Sequence, residues 1–354
     1  MPMLLNDHER FRDLDPQNML GEIDGLPDQL AAAWELGQTQ SLPKMDAIQQ
    51  IVIAGMGGSA IGADLLATYA TPTCSVPIIV HRDYDLPAFA RGPETLFIAS
   101  SHSGNTEETI AAIDAAIDEG CTILVVSTGG KLAQKAAEIN APLWQFEHAG
   151  QPRAAVGYSF GLLLALFVRL GLIPPETADI PQTVADMKSA QRHLRADVIA
   201  EKNPAKRSAG QAAGRWVTVF GANYLAPVAR RWTGQINEVA KAGSNFEYLP
   251  EADHNTLAGV ENPPQVLLHT HSIFLRAKSD HPRNQLRAEM TRKTFMLEAL
   301  STDTVDARGK TPLSHMWTTL LFGDYVSYYL AMIYGVDPTP VDALVMLKEK
   351  LKQA

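Results

Sequence analysis

A glycine-rich segment and a hydroxyl-rich segment of this 354-residue chain each lie between an apolar, strand-like run and a helical pattern. The first is Ile53-Ala54-Gly55-Met56-Gly57-Gly58-Ser59, and the second is Ser100-Ser101-His102-Ser103-Gly104-Asn105-Thr106-Glu107-Glu108. The second segment supplies hydroxyl groups from Ser101, Ser103 and Thr106, and Gly104 lets the backbone approach a ligand closely. Because the free N–H groups and dipole of a helix N-terminus favour anions, these turns predict a phosphomonoester site that needs no lysine.

Two other interpretations of these turns stay open. Serine and threonine before a helix, with glutamate downstream, are also an ordinary helix-capping signature. The first turn fits the dinucleotide pattern Gly-x-Gly-x-x-Ala at Gly55, Gly57 and Ala60, and Asp83 lies where a ribose contact is expected. A nicotinamide-dependent oxidoreductase is therefore a rival hypothesis. A P-loop is excluded, because no Gly-Lys-Ser/Thr follows the glycines.

The elements that position these turns alternate between strand and helix. Apolar runs at residues 51–54, 96–100 and 121–127 are separated by helical patterns, which predicts a buried parallel sheet with crossover helices. A second α/β pattern follows Pro174-Pro175, with helical patterns at 186–200 and 224–241, a strand at 216–220 and strand-like runs at 266–269 and 272–275. We predict an α/β protein of two similar three-layer domains, flavodoxin-like or Rossmann-like. The predicted parts are a helical arm at 1–40 and domains at 41–172 and 173–354.

Composition narrows the classes of function. Hydrophobic residues make up 46% of the chain, charged residues 19%, and the net charge is −9, which argues against a nucleic-acid-binding face. No apolar stretch has the length and composition expected of a membrane span, and the N-terminal residues do not resemble a signal peptide. Cys74 and Cys121 do not form a CxxC pair, so we expect a reducing, cytoplasmic location.

Further along, the chain resembles a known family. The segments 55–62 (GMGGSAIG) and 101–109 (SHSGNTEET) resemble the sugar isomerase (SIS) domain, and later segments resemble one branch, the bifunctional phosphoglucose/phosphomannose isomerases. Those later segments are PRAAVGY at 152–158, NEVAK at 237–241, PEADHN at 250–255 and GVDPTPV at 335–341. They occur in family order almost to the C-terminal residues, so their joint specificity is high.

The resemblance implies two SIS domains, a homodimer, and an active site between domains at the subunit interface. It implies that Arg153 faces the reacting carbons and that Glu238 is the base. It also implies that His254, from the partner subunit, and Lys348 open the sugar ring and move protons. The implied phosphate-binding residues are Gly57, Gly58, Ser59, Ser101, Ser103 and Thr106.

These residue types suit an isomerase that interconverts glucose 6-phosphate, and mannose 6-phosphate, with fructose 6-phosphate. A carboxylate such as Glu238 can move one proton between C1 and C2 through a cis-enediol. A guanidinium stabilises the developing oxyanion, and a histidine can open the ring. No metal or organic cofactor is needed. A non-catalytic SIS protein that binds sugar phosphates remains the alternative; Glu238 would then be a solvated carboxylate pairing with Lys241.

Three departures from the family pattern concern residue 102, residues 239–240 and the choice of lysine near the C-terminal residues. His102 stands where an aromatic residue is common. Val239 and Ala240 remove a polar neighbour of the base. The choice of Lys348 rests on a short match, with Lys350 and Lys352 close by.

Overall fold

The computed structural model describes residues 2–353 and divides them into two compact units. The N-terminal unit contains residues 25–188 and 308–318, and the C-terminal unit contains the rest. Three helices precede the first strand: α1 (Pro2–Leu5), α2 (His8–Leu14) and α3 (Met19–Thr39). Each unit is built from separated stretches of chain. The domain boundaries expected near residues 40 and 172 stay predictions.

A five-stranded parallel sheet forms the centre of the N-terminal unit, in the order β2-β1-β3-β4-β5. All seven residues of the middle strand are buried, as expected for a strand covered on both faces. The predicted parallel sheet is confirmed, although its last strand was not predicted. The strands are β1 (Gln50–Ala54), β2 (Ile78–His81), β3 (Thr95–Ser101), β4 (Thr122–Ser127) and β5 (Leu143–Gln145).

Three helices connect strands of this sheet, as the pattern predicts: α4 (Gly57–Ala70) leads to β2, α5 (Glu107–Asp118) to β4 and α6 (Gly130–Glu138) to β5. Two further helices, α7 (Val156–Arg169) and α8 (Ile180–Gln191), follow the last strand. A 3-10 turn, Pro152–Ala154, leads into α7. The predicted helix at 186–200 is shifted, since α8 ends at Gln191.

The C-terminal unit has a four-stranded parallel sheet in the order β7-β6-β8-β9. Its core includes Phe220 stacked on Phe274, with ring centroids 4.5 Å apart, and Phe295 edge-on to both. The strands are β6 (Trp216–Ala222), β7 (Ser244–Leu249), β8 (Thr270–Arg276) and β9 (Ser301–Asp306). The remaining helices are α9 (Pro204–Ala212), α10 (Ala226–Val239), α11 (Pro264–Leu267), α12 (Pro282–Leu297), α13 (Pro312–Tyr334) and α14 (Asp342–Leu351).

One predicted strand is wrong. Residues 266–269 do not join the sheet, because α11 occupies Pro264–Leu267. Pro263 and Pro264 explain the difference, since a proline at the first helical position fixes φ and lacks only an N–H that would be unpaired anyway.

The order of the strands decides where each sheet can bind a ligand. In a sheet ordered 2-1-3-4, the connections leaving the first and third strands diverge, and a crevice opens at the carboxyl ends of these two strands. In the N-terminal unit those strands are β1 and β3, which lead into the two turns predicted to bind phosphate. Within the described residues, no helix is both long and apolar enough to cross a membrane.

Candidate active site

The two phosphate turns are joined by one hydrogen bond. The backbone N–H of His102 donates to Oγ of Ser59 at 3.1 Å, so the turn after β3 is tied to the first helical turn after β1. Ser59 is buried. Because its oxygen accepts the amide proton, its own hydroxyl proton remains able to donate to a ligand. The N-terminal unit thus brings the two predicted turns together at the crevice.

The helix-capping interpretation is not supported by the hydrogen bonds. Thr106 is the N-cap residue of α5, yet its side chain makes no capping bond. Its hydroxyl instead pairs with the hydroxyl of buried Ser101 at 2.8 Å. The N-cap residue of α4, Met56, also provides no side-chain cap. Neither N-cap side chain therefore satisfies the first N–H groups of its helix, an arrangement that favours an anion.

Close backbone packing shapes the second turn. Gly104 has a φ of +64°, and a Cβ there would lie 1.9 Å from the carbonyl oxygen of Gly129. Ser103, the exposed hydroxyl of this turn, accepts a hydrogen bond from the N–H of Asn105 at 3.2 Å. The glycine therefore lets the turn pack against the start of α6 while Ser103 stays at the surface.

Arg153 lies beside the first turn. It belongs to the 3-10 turn before α7 and is only 4% exposed. A Cβ on Gly58 would lie 2.4 Å from the carbonyl oxygen of Pro152 and 3.1 Å from Cα of Arg153. The N-terminal unit thus places the backbone of Arg153 next to the first phosphate turn.

Changing Gly58 to alanine is expected to weaken sugar-phosphate binding. The added methyl group must push the 3-10 turn of Arg153 away from α4, and overpacking of this kind costs about 1–3 kcal/mol. Calorimetric titration with fructose 6-phosphate measures the loss. The matched control is Gly25→Ala in α3, where a Cβ meets nothing within 4 Å and binding should be unchanged. Equal affinities for both variants would contradict the described packing.

Four rings cluster at the edge of the second turn. Nε2 of His102 and Nδ1 of His148 are hydrogen-bonded at 2.9 Å. Phe146 packs edge-on to the His102 ring and stacks on Tyr158 with centroids 4.8 Å apart. His102 could be singled out from the sequence but His148 could not, because the two histidines are 46 residues apart and no short-range pattern links them.

The His102 ring is expected to stay neutral under mildly acidic conditions. Burial, and then the adjacent His148, lower the pKa of His102 from 6.5 to about 4. Between these values the unfolded chain binds more protons at this site than the folded chain. The contribution of His102 to stability is therefore complete above about pH 6.5 and is lost as the pH falls toward about 4. NMR titration of the His102 ring tests this, and a midpoint near pH 6.5 would contradict it.

Glu238 lies in the last turn of α10 and is half-buried. The ammonium group of Lys241 donates to the backbone carbonyl oxygen of Glu238 at 2.7 Å. Asn237 accepts a hydrogen bond from the hydroxyl of Ser244, the first residue of β7, at 2.8 Å. Glu238 therefore lies near the start of β7, because a 14-residue helix that follows β6 and runs back along the sheet spans about 21 Å.

The family departure after Glu238 has a structural explanation. Val239 and Ala240 are almost completely inaccessible, with 0% and 1% exposure. Apolar residues at the last position of α10 and at its C-cap therefore fill the core.

His254 ends a 3-10 turn, Glu251–His254, and its side chain is exposed. The preceding residue anchors this turn to α12. The carboxylate of Asp253 accepts hydrogen bonds from Nη1 of Arg287 at 2.8 Å and from Oγ1 of Thr291 at 2.6 Å. This anchor could not be predicted from the sequence, since Arg287 and Thr291 lie more than thirty residues away.

Within one chain, Glu238 and His254 lie near opposite ends of β7. Glu238 is held near the first residue of β7, and His254 follows the last residue of that strand. Five residue steps along a strand separate these ends by about 17 Å. Lys348 lies on α14, where it is exposed like its neighbours Lys350 and Lys352, so the choice among these lysines stays a prediction.

Solved structures with the same architecture define the class of fold. A hypothetical protein from Thermus thermophilus is 16% identical, with a TM-score of 0.74 over 99% of this chain and 94% of that one. A glucose-6-phosphate isomerase like protein from the same organism is 18% identical, with a TM-score of 0.63 over 98% of each chain. Identities this low show the fold alone, which is an α/β fold with two parallel sheets flanked by helices.

Sequence relatives define the family. The model for the bacterial phospho-glucose isomerase C-terminal SIS domain matches residues 201–351. A bifunctional phosphoglucose/phosphomannose isomerase from Caldicellulosiruptor bescii is 38% identical over 95% of this chain and 99% of its own length. The chain belongs to the bifunctional phosphoglucose/phosphomannose isomerase family. Membership supports the isomerase hypothesis and neither the oxidoreductase nor the non-catalytic alternative.

Proposed function

We propose that this protein interconverts glucose 6-phosphate and mannose 6-phosphate with fructose 6-phosphate. The observation that carries the proposal is the pair of joined turns at the β1/β3 crevice, which have uncapped helix N-termini, clustered hydroxyl groups and Arg153 beside them. Family membership supports the same reaction. The proposed phosphate ligands are the backbone and hydroxyl groups of Gly57, Gly58, Ser59, Ser101, Ser103 and Thr106.

The proposed mechanism is proton transfer. His254 and Lys348 open the sugar ring, and Glu238 then takes a proton from one of the two carbons C1 and C2 and returns it to the other. Arg153 stabilises the negative charge on the enediolate oxygen, because a guanidinium stays charged at any working pH. These steps use only groups of the protein.

Fructose 6-phosphate in D2O, with a chelator present, tests this reaction. NMR should show glucose 6-phosphate and mannose 6-phosphate with deuterium at C2, because the enediol exchanges its proton with solvent. Glucose 6-phosphate alone would restrict the specificity to one epimer. Activity that disappears with chelation and returns with zinc would favour a metal-dependent mechanism, and saturable binding without any product would favour the non-catalytic alternative.

We further propose a homodimer in which the partner subunit's His254 completes each site. The separation of about 17 Å along β7 supports this, since Glu238 and His254 of one chain lie at opposite ends of that strand.

Mixing two inactive variants tests the shared site. Glu238→Gln and His254→Asn dimers are unfolded together and refolded, so that half of the dimers become mixed. Each mixed dimer then has one site with both intact residues, and about a quarter of the wild-type activity should return. If both residues act within one chain, no activity returns.

We also propose that the protein acts in the cytoplasm. Cys74 and Cys121 are both free thiols, which agrees with a reducing compartment. Fractionation of cells of the source organism, with the activity followed in each fraction, tests this location.

A further inference from the structure

We propose that His148 is a positioning residue for the sugar phosphate, because its hydrogen bond to His102 fixes the turn of residues 101–106 in the shape that binds the phosphoryl group. The inference rests on the proposed function of that turn. It assigns a role to a residue that lies outside both phosphate turns and outside every segment that resembles the family.

The backbone of His102 holds the turn in place. Its N–H donates to Oγ of Ser59 at 3.1 Å. Its carbonyl oxygen accepts from both the N–H and the hydroxyl of Thr128, at 3.0 and 2.7 Å. His102 therefore links the turn after β3 to its neighbours after β1 and β4. A rotation of this residue would displace the phosphate-binding groups on either side of it.

The ring of His102 is fixed by His148. Nε2 of His102 and Nδ1 of His148 lie 2.9 Å apart, so the two nitrogens share one proton when both rings are neutral. The low pKa of His102, which burial causes, agrees with a neutral ring. A phenylalanine at position 102 would have no ring nitrogen and could not take part in this bond. The two histidines therefore act as a pair in this chain.

The ring cluster also reaches the segment that carries Arg153. His148 and Phe146 both pack against Tyr158, with centroid distances of 6.1 and 4.8 Å. Tyr158 is in the first turn of α7, five residues after Arg153. The histidine pair and Tyr158 therefore connect the turn of residues 101–106 to the segment that carries Arg153.

The test compares two substitutions of His148 in the full-length protein. His148→Phe keeps the ring but removes the hydrogen bond, whereas His148→Asn places an amide oxygen close to the position of Nδ1. We expect His148→Phe to raise KM for fructose 6-phosphate, and Kd for inorganic phosphate, by about 3- to 10-fold, the value of one hydrogen bond, with kcat within about twofold. His148→Asn should restore most of the affinity. His269→Phe, at an exposed histidine of the C-terminal unit, is the control and should change neither constant.

A double substitution and a spectrum complete the test. If the histidines act only as a pair, the double variant His102→Phe/His148→Phe loses no more affinity than His102→Phe alone. In 15N NMR spectra, the His102 Nε2 signal should shift in His148→Phe and return in His148→Asn.

Several outcomes overturn the inference: an unchanged KM in His148→Phe, equal losses in both His148 variants, or fully additive losses in the double variant. The proposed function is judged separately. A wild-type protein that binds phosphate but forms no product refutes the isomerase and still allows the pair to be tested through Kd, whereas a wild-type protein that binds no phosphate overturns both.

Discussion

Replacing Glu238 with glutamine is expected to lower kcat for fructose 6-phosphate by about 10²- to 10⁴-fold, the contribution typical of a general base. The amide keeps the size of the side chain but cannot take the proton from carbon. Binding should survive, because the proposed phosphate ligands all lie in the N-terminal unit, and α10 belongs to the C-terminal unit.

Steady-state kinetics and calorimetric titration measure the two effects separately. The matched control is Glu289→Gln on α12, since Glu289 forms an exposed ion pair with Lys293 that contributes little. Normal turnover by the Glu238 variant would remove this residue from the mechanism. Loss of affinity together with turnover would show that it supports the structure instead.

Breaking one buried ion pair is expected to destabilise the C-terminal unit by about 3–5 kcal/mol. The guanidinium of Arg231 on α10 forms two hydrogen bonds with the carboxylate of Asp324 on α13, at 3.3 and 3.0 Å, and both side chains are at most 4% exposed. Asp324→Asn leaves the arginine charge buried without its counterion. Urea unfolding at fixed protein concentration measures the loss.

Two controls separate burial from charge. Asp306→Asn breaks the more exposed pair with Arg276 and should cost less than about 1 kcal/mol. The double variant Arg231→Met/Asp324→Leu should recover most of the stability lost in Asp324→Asn, because it removes the buried charge as well as its partner. A small loss for Asp324→Asn would mean that the pair is hydrated in solution.

The buried pair also bears on the proposed base. Arg231 precedes Glu238 by seven residues, which is close to two full turns of α10, so both lie on the same side of the helix. The ion pair therefore fixes the helix that presents the carboxylate. We expect Asp324→Asn to lower kcat as well as stability.

The sheets were predictable from the sequence where the strands are continuous and apolar. The runs that became β1, β3 and β4 are buried on both faces, so hydrophobicity marks them directly. Short strands and partly polar strands escaped this criterion. β5 has three residues, and β7, Ser-Asn-Phe-Glu-Tyr-Leu, lies at the sheet edge and has a polar first half.

The candidate site was predictable only in part, for a different reason. Ser101, Ser103 and Thr106 occur within six residues, so their chemistry is visible in one segment. The bond between His102 and His148, and the anchor of Asp253 on α12, join residues that are distant in sequence. Such contacts depend on how strands are ordered and on how helices cross them, and neither leaves a periodic signal in the chain.

The distance along β7 has a consequence for enzyme kinetics. If the residues that open the ring and move the proton come from two chains, then only the dimer is active. The activity then depends on the equilibrium between monomer and dimer. Specific activity should then fall on dilution below the dissociation constant of the dimer and rise again with added substrate, since a ligand that binds only the assembled site stabilises the assembly.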